Sequence, residues 1–333
     1  MMMNNIENSG YKVFLELQTR DHSDKGYILV ESVPFSIHHK IGISNEGFPL
    51  FFVKCDNETK SIDINLEFIS VLFSQECNIK EKENSSNDIF TILQLNTLNG
   101  DLQQYFTDVF SIILHQLEPL PSEINLYREV RKVIDLFSSI ANPPIKSIQG
   151  LWAELLVIEK ALDPEYLIFA WHISPSDKYD FNDSKDKLEV KSTTKSKRIH
   201  RFSIEQLNNN AGSDLLIAST FVVETGIGKS ILHLRDDIIS KISDIKAKLR
   251  LNEMIYKTIG NEYEKLGEIF FDYQLALDSL SFYDVNDIPR IQINDIPVQV
   301  TNVTFDCDFT GIPTILEKEY DIQDSLLFKS LGI

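Results

Sequence analysis

The sequence predicts an α+β fold, and three observations carry that expectation. The first hundred residues hold short β-rich runs bounded by Asn, Asp, Ser and Gly. Near Asn99 the apolar spacing changes to 3.6 residues. From residue 146 the two periodicities alternate in the order α-β-β-β-α-β. At 333 residues the chain suits two or three units of roughly 100–200 residues each. The shifts in pattern divide it into a β-rich N-terminal domain (1–98), a helical connector (99–145), a core (146–235) and a mixed helical and β C-terminal region (236–333).

Taken in order, Val13–Leu17 alternates loosely and reads as a strand, followed by a turn at Asp21–Gly26. Strands are expected at 26–30, 51–54, 62–68 and 89–95. Leu102, Phe106, Phe110, Ile113 and Leu117 predict a helix over 101–117. Ser122 caps a second helix, with Ile124, Val130, Val133, Ile134 and Phe137 on its apolar side and Pro143-Pro144 as its stop. A third helix is expected from Lys146 to Leu162. Leu167–Trp171, Tyr179–Phe181 and Leu188–Thr193 read as strands, Phe202–Leu207 as a short helix, and Leu215–Val223 as a buried central strand. Beyond Gly228 the pattern predicts a strand at 230–234, a helix over 236–249 and a further helix over 261–269. Strands are expected again over 275–282, 290–293 and 298–305.

Chemistry concentrates in one segment, Lys178-Tyr179-Asp180-Phe181, with Glu189-Val190-Lys191 following nine positions after Asp180. Strand side chains alternate, so Glu189 and Lys191 share one face while Leu188 and Val190 share the other. If the two strands pair across the polar turn Asn182–Asp186, Asp180 lies beside Glu189. Asp177, Asp183 and Asp186 are rivals from the same stretch. Two carboxylates and an ammonium suit metal-assisted phosphodiester hydrolysis. Mg²⁺ takes oxygen ligands and keeps several waters, so Asp180, Glu189 and the Val190 carbonyl are candidate ligands. Lys191 is then placed to position water or stabilise transition-state charge. Glu154 falls on the stripe of Leu151, Leu155, Ile158 and Leu162, where a carboxylate needs a partner such as the metal or Lys191. Taken alone, a Glu-x-Lys on a strand is most often an exposed charge pair.

With Glu154, Asp180 and Glu189-Val190-Lys191 on this element order, the chain resembles the PD-(D/E)XK nuclease superfamily, whose fold is restriction-endonuclease-like. More narrowly it is similar to the bacterial PD-(D/E)XK motif proteins of anti-phage defence clusters. That narrower resemblance rests on Gly150-Leu151-Trp152-Ala153-Glu154-Leu155 and Phe202-Ser203-Ile204-Glu205-Gln206-Leu207. It implies metal binding by Asp180 and Glu189, catalysis by Lys191, and Glu154 as the acid of the first core helix. Gln206 matches a polar residue that some members carry after the motif. It further implies a DNA endonuclease using Mg²⁺, with Mn²⁺ as a substitute, that acts in phage defence beside ATPase and methyltransferase proteins. The rival reading is a DNA-binding or interaction subunit that keeps the fold without turnover. Tyr179 replaces the proline of the motif's name, and Asn210 stands where some relatives carry tyrosine.

A net charge of −18 argues against a surface that coats nucleic acid or anionic membrane. The acid is unevenly spread. Between Lys185 and Arg201 seven cations face only Asp186 and Glu189. Lys195, Lys197, Arg198, His200 and Arg201 are therefore candidate DNA contacts. A dimer would suit double-strand cutting. Cys55, Cys77 and Cys307 are too scattered for a disulfide framework or zinc site, which fits a reducing cytoplasm. Met1–Tyr11 is polar, so no secretory signal is expected, and no apolar run is long enough to span a membrane. Gly226–Ser230 echoes a phosphate loop, but Val223 stands where its first glycine belongs, so a turn is expected. Trp152 and Trp171 read as core, and His38-His39 lacks helical metal-ligand spacing.

Overall fold

The computed structural model describes residues 10–20, 28–56, 61–81, 84–173, 177–208, 212–318 and 324–333. The predicted turn at Asp21–Gly26 and the position of Asn210 lie outside the described residues. The chain forms two compact units, Met1–Asn142 and Pro143–Ile333.

The first unit opens with helix α1 (Gly10–Gln18), where the alternation at Val13–Leu17 predicts a strand. Gly10, Phe14 and Leu17 are its buried residues, spaced i, i+4 and i+7, so a helical stripe overrides the loose alternation. Strands β1 (Leu29–Ser32), β2 (Lys40–Ile43), β3 (Pro49–Val53), β4 (Ile64–Asn65), β5 (Ile69–Glu81) and β6 (Asn84–Leu95) build one sheet in the order β1-β2-β3-β6-β5-β4. Every pairing in it is antiparallel. The sequence reading missed β2 and all of β5. Gly42 explains the close approach at β2, because a Cβ there would lie 2.9 Å from the Leu29 carbonyl. Helices α2 (Gly100–Gln116) and α3 (Glu123–Ser139) start at the caps Asn99 and Ser122, whose side chains accept from Leu102 N and Asn125 N. The apolar face of α2 meets β3, and α3 packs on α2. The Phe51 ring lies 4.8 Å from Phe110 and 5.8 Å from Phe106, and Phe106 lies 5.7 Å from Phe137. Ile124 is exposed and Leu126 is buried in its place.

The second unit begins with α4 (Ile148–Lys160), capped by Ser147. Helix α5 (Pro164–Ala170) replaces the strand expected at Leu167–Trp171. Asp163 caps it and Pro164 starts it, and a short apolar run alone does not distinguish helix from strand. Trp171 emerges extended and bridges Phe181. Then follow β7 (Phe181–Asn182), β8 (Lys187–Thr193), β9 (Ile199–Ser203), α6 (Ile204–Leu207) and β10 (Leu215–Phe221). An α-β-β-β-α-β order is present with α5 inserted after its first helix, but its third strand is β9, which the sequence reading did not expect, in place of the strand expected at Leu167–Trp171. Beyond it run β11 (Glu224–Thr225), α7 (Ile231–Lys241), α8 (Ile245–Ile259), a 3₁₀ segment (Gly260–Gly267), β12 (Phe270–Phe271), α9 (Tyr273–Ser279), β13 (Ser281–Asp284), β14 (Thr304–Asp308) and α10 (Leu326–Leu331). Residues 231–234 and 275–279 are helical, and 290–293 form no strand. Ser230 caps α7 through a box with His233, and Lys229 pairs with Asp237, so Gly226–Ser230 is a turn into a helix.

Strand order in the central sheet is β13-β10-β8-β7. The β8–β10 pair is parallel and the other two pairs are antiparallel. β9 leaves this sheet and pairs with β14, setting Arg201 against Asp306 and His200 against Cys307. Tyr283, Val285, Ile288, Cys307 and Phe309 join Tyr179, Phe202 and Ile217 in one buried cluster, so the C-terminal segments complete the core. Among the described residues no helix is long and apolar enough to cross a membrane.

Candidate functional site

The β7–β8 hairpin brings the first two carboxylates together. Phe181 pairs with Leu188, which sets Asp180 beside Glu189. The turn is tight, with Ser184 in the left-handed region at φ 77 and its N–H held by Asn182 Oδ1. Asp180 Oδ2 accepts the Val190 N–H at 2.8 Å, so the strand backbone fixes this carboxylate. The rivals point elsewhere. Asp183 accepts the Tyr166 hydroxyl, Asp186 accepts the Asp214 N–H, and Asp177 faces His172.

Glu154 reaches the same place from α4. It is buried, and Trp171 Nε1 donates to its Oε2 at 2.7 Å. Its other oxygen receives the Lys146 ammonium at 2.6 Å, and that ammonium also contacts Asp180 Oδ1. Lys146 was not among the sequence candidates. It lies just ahead of the Ser147 cap, where helical periodicity gives no signal. Trp171 is core, as read, and is also a donor to Glu154. Burial, then the charge of Asp180, raises the Glu154 carboxyl above the ordinary range against the pull of Lys146. Burial alone would lower Lys146, but Glu154 and Asp180 outweigh it and the ammonium holds its proton more tightly.

Lys191 and Glu189 share a strand face and meet at 2.7 Å. Glu189 is also raised, by burial and by Asp180, with Lys191 opposing. Gln206 ties the pair together. Its amide donates to Glu189 Oε1 at 2.6 Å, and its own oxygen receives the Lys191 ammonium at 3.4 Å. Its position comes from local chemistry. Ser203 and Gln206 form a capping box, so the helix start fixes the side chain. Lys191 also lies over the Phe202 ring at 5.0 Å.

This donor set fits a divalent cation. The charge of Asp180 raises the proton affinity of Glu189, and a cation relieves that repulsion. Lys146 stands in for one, already placed between Glu154 and Asp180. Among the described residues no group of three or more His, Cys, Asp or Glu side chains is arranged to hold a metal ion. Mg²⁺ needs no such group, since it is usually held by one or two carboxylates with water and substrate phosphate.

The basic run is only partly available. Lys195 and Lys197 are exposed. Arg198 is committed inward, donating to the Ser219 carbonyl and hydroxyl and lying over Phe221. His200 is 3% exposed, donates to or accepts from Ser219 Oγ at 2.7 Å, and packs edge-on to Phe309. It is a core histidine with no surface from which to meet phosphate. Arg201 is exposed but forks onto Asp306 at 2.8 and 3.2 Å. Arg198 and His200 are drawn inward by Ser219 of β10, with Phe309 packed on His200, while pairing with β14 sets Asp306 opposite Arg201.

Residues 13–310 match the family described as "Putative PD-(D/E)XK family member, (DUF4420)". The chain belongs to this family. A DUF4420 chain has the nuclease-like fold of the PD-(D/E)XK group, a superfamily whose members are generally nucleases. No curated protein and no solved structure matches it.

Proposed function

We propose that this DUF4420 protein is a metal-dependent DNA endonuclease, acting in defence against foreign DNA. The observation that carries the reading is the convergence of Asp180, Glu189 and Lys191 on one hairpin, with Glu154 and Gln206 supporting them. Asp180 and Glu189 would hold the ion, with the Val190 carbonyl as a further candidate ligand. When bound, Mg²⁺, or Mn²⁺ in its place, would supply polarisation of the phosphoryl oxygen and a lower pKa for the attacking water. Lys191 orients that water and stabilises the charge that develops on phosphate. Gln206 keeps Glu189 and Lys191 in register. Lys195 and Lys197 meet the DNA backbone. ATPase and methyltransferase partners, a homodimer and a cytoplasmic location belong to the same proposal.

A second reading is favoured by Lys146, whose ammonium occupies two of the carboxylates: a subunit that binds DNA without cutting it. Plasmid DNA incubated with Mg²⁺ or Mn²⁺ separates the two. Wild type cuts, while Asp180→Ala and Lys191→Ala lose on the order of 10²–10³-fold. Variants that cut as well as wild type refute the assignment. Salt-sensitive DNA binding without cleavage by wild type selects the second reading.

A further inference from the structure

Each oxygen of Asp180 and of Glu154 already has a partner. Asp180 has one oxygen on the Val190 N–H and the other on Lys146. Glu154 has one on the Trp171 indole and the other on Lys146. These partners differ in how they can be removed. Freeing Val190 N–H means moving strand β8, and freeing the indole means moving a fully buried tryptophan. Lys146 is held only by its flexible four-carbon stem, ahead of the helix cap, and its side chain keeps 24% of its exposure.

We propose that Lys146 is a built-in, displaceable counter-cation: its ammonium neutralises Glu154 and Asp180 in the metal-free protein and must swing out when a divalent ion enters. This rests on the metal-dependent reading above and adds a residue that sets the affinity for the ion. The charge balance is simple. Two buried carboxylates without a cation are costly, so one cation or the other is always present. A tethered ammonium competes with every incoming ion, so the ion binds more weakly than the carboxylates alone would allow. Metal loading then frees a lysine at the mouth of the site, where the anionic substrate arrives.

The test is direct titration of Mn²⁺ into the full chain by calorimetry, beside thermal melts with and without the ion. Lys146→Met is expected to bind Mn²⁺ on the order of tenfold or more tightly than wild type, the scale on which residues around a site change metal affinity. Without metal its melting temperature falls below wild type, and saturating Mn²⁺ narrows that gap. Lys146→Gln, which keeps a donor without the charge, is the second variant and is expected to shift affinity in the same direction. Equal or weaker Mn²⁺ binding by a folded variant, with wild type binding the ion, overturns the counter-cation and leaves the nuclease reading intact. Failure of wild type and both variants to bind Mn²⁺ overturns both.

Discussion

The two units solve the same problem, covering a sheet with helices, and use its buried face differently. In the first, every strand pair is antiparallel, and Phe51 of β3 meets Phe106 and Phe110 of α2, with Phe137 of α3 against Phe106. In the second, Glu154, Asp180 and Glu189 are buried beside a sheet with one parallel pair, β8–β10. Connectivity accounts for the difference. Antiparallel strands close through short turns, whereas a parallel pair needs a crossover. Here the crossover is β9 and α6, and it delivers Gln206 onto Glu189 and Lys191. The topology that costs a longer connection thus supplies a polar residue at the strand that carries the carboxylates.

The largest effect that tests this contrast comes from the apolar side. Phe106 is fully buried against Phe51, Phe110 and Phe137, so Phe106→Ala should cost about 3–5 kcal/mol through lost burial and the cavity left behind. Urea unfolding followed by near-UV circular dichroism reads this loss. A cost below about 1 kcal/mol means the first unit is not organised around that aromatic cluster.

These regions also differ in how much of them could be read from sequence. Helices α2 and α3 were legible because long periodic segments with Asn99 and Ser122 as caps leave little ambiguity. The hairpin of Asp180 and Glu189 was legible from strand alternation and a polar turn. Helix α5 was not, because seven residues of Pro-Glu-Tyr-Leu-Ile-Phe-Ala fit either periodicity until Asp163 caps them. Lys146 escaped because its role depends on which turn of the chain folds over the hairpin. Arg198 and His200 were misplaced because their side chains are held by Ser219 of β10, and His200 also by Phe309, partners that no local pattern announces. Gln206 was named through the family resemblance, and its local box with Ser203 is an independent signal, present in the sequence and unused.

A smaller effect bears on both units through one chemistry. His200 in the second and His39 in the first are each buried and lowered to about 4, by desolvation first, then by Lys191 and Arg198 for His200 and by His38 for His39. The folded values lie below the ordinary histidine value near 6.5. Folding therefore favours the neutral ring. The stabilisation is complete above the unfolded value and is lost as pH falls from about 6.5 toward 4. Each histidine should contribute at most about 2 kcal/mol of acid destabilisation between pH 7 and pH 5. His200→Gln should lower stability at pH 7 by losing its ring packing on Phe309, yet flatten the pH dependence. A pH slope unchanged by both His200→Gln and His39→Gln assigns the acid sensitivity to other groups.

The smallest effect concerns the exposed face of the second unit. Arg198 and His200 face inward and Arg201 is paired with Asp306, which leaves Lys195 and Lys197 as the exposed candidates for DNA contact. Both stand near acid. Lys195 lowers the Asp306 carboxyl behind the larger effect of Arg201, and Lys197 lowers Asp308 behind that of Thr310. Local acid should thus weaken DNA binding without abolishing it. Neutralising either lysine to alanine should reduce the salt slope of duplex binding by about 1, uniformly across sequences. Asp306→Asn should act in the opposite direction, tightening binding by removing a charge that repels phosphate and by releasing Arg201 from its fork. Fluorescence anisotropy of a labelled duplex across a salt series measures all three. If Asp306→Asn binds no more tightly while both lysine variants keep the wild-type slope, the duplex lies against another face of the unit.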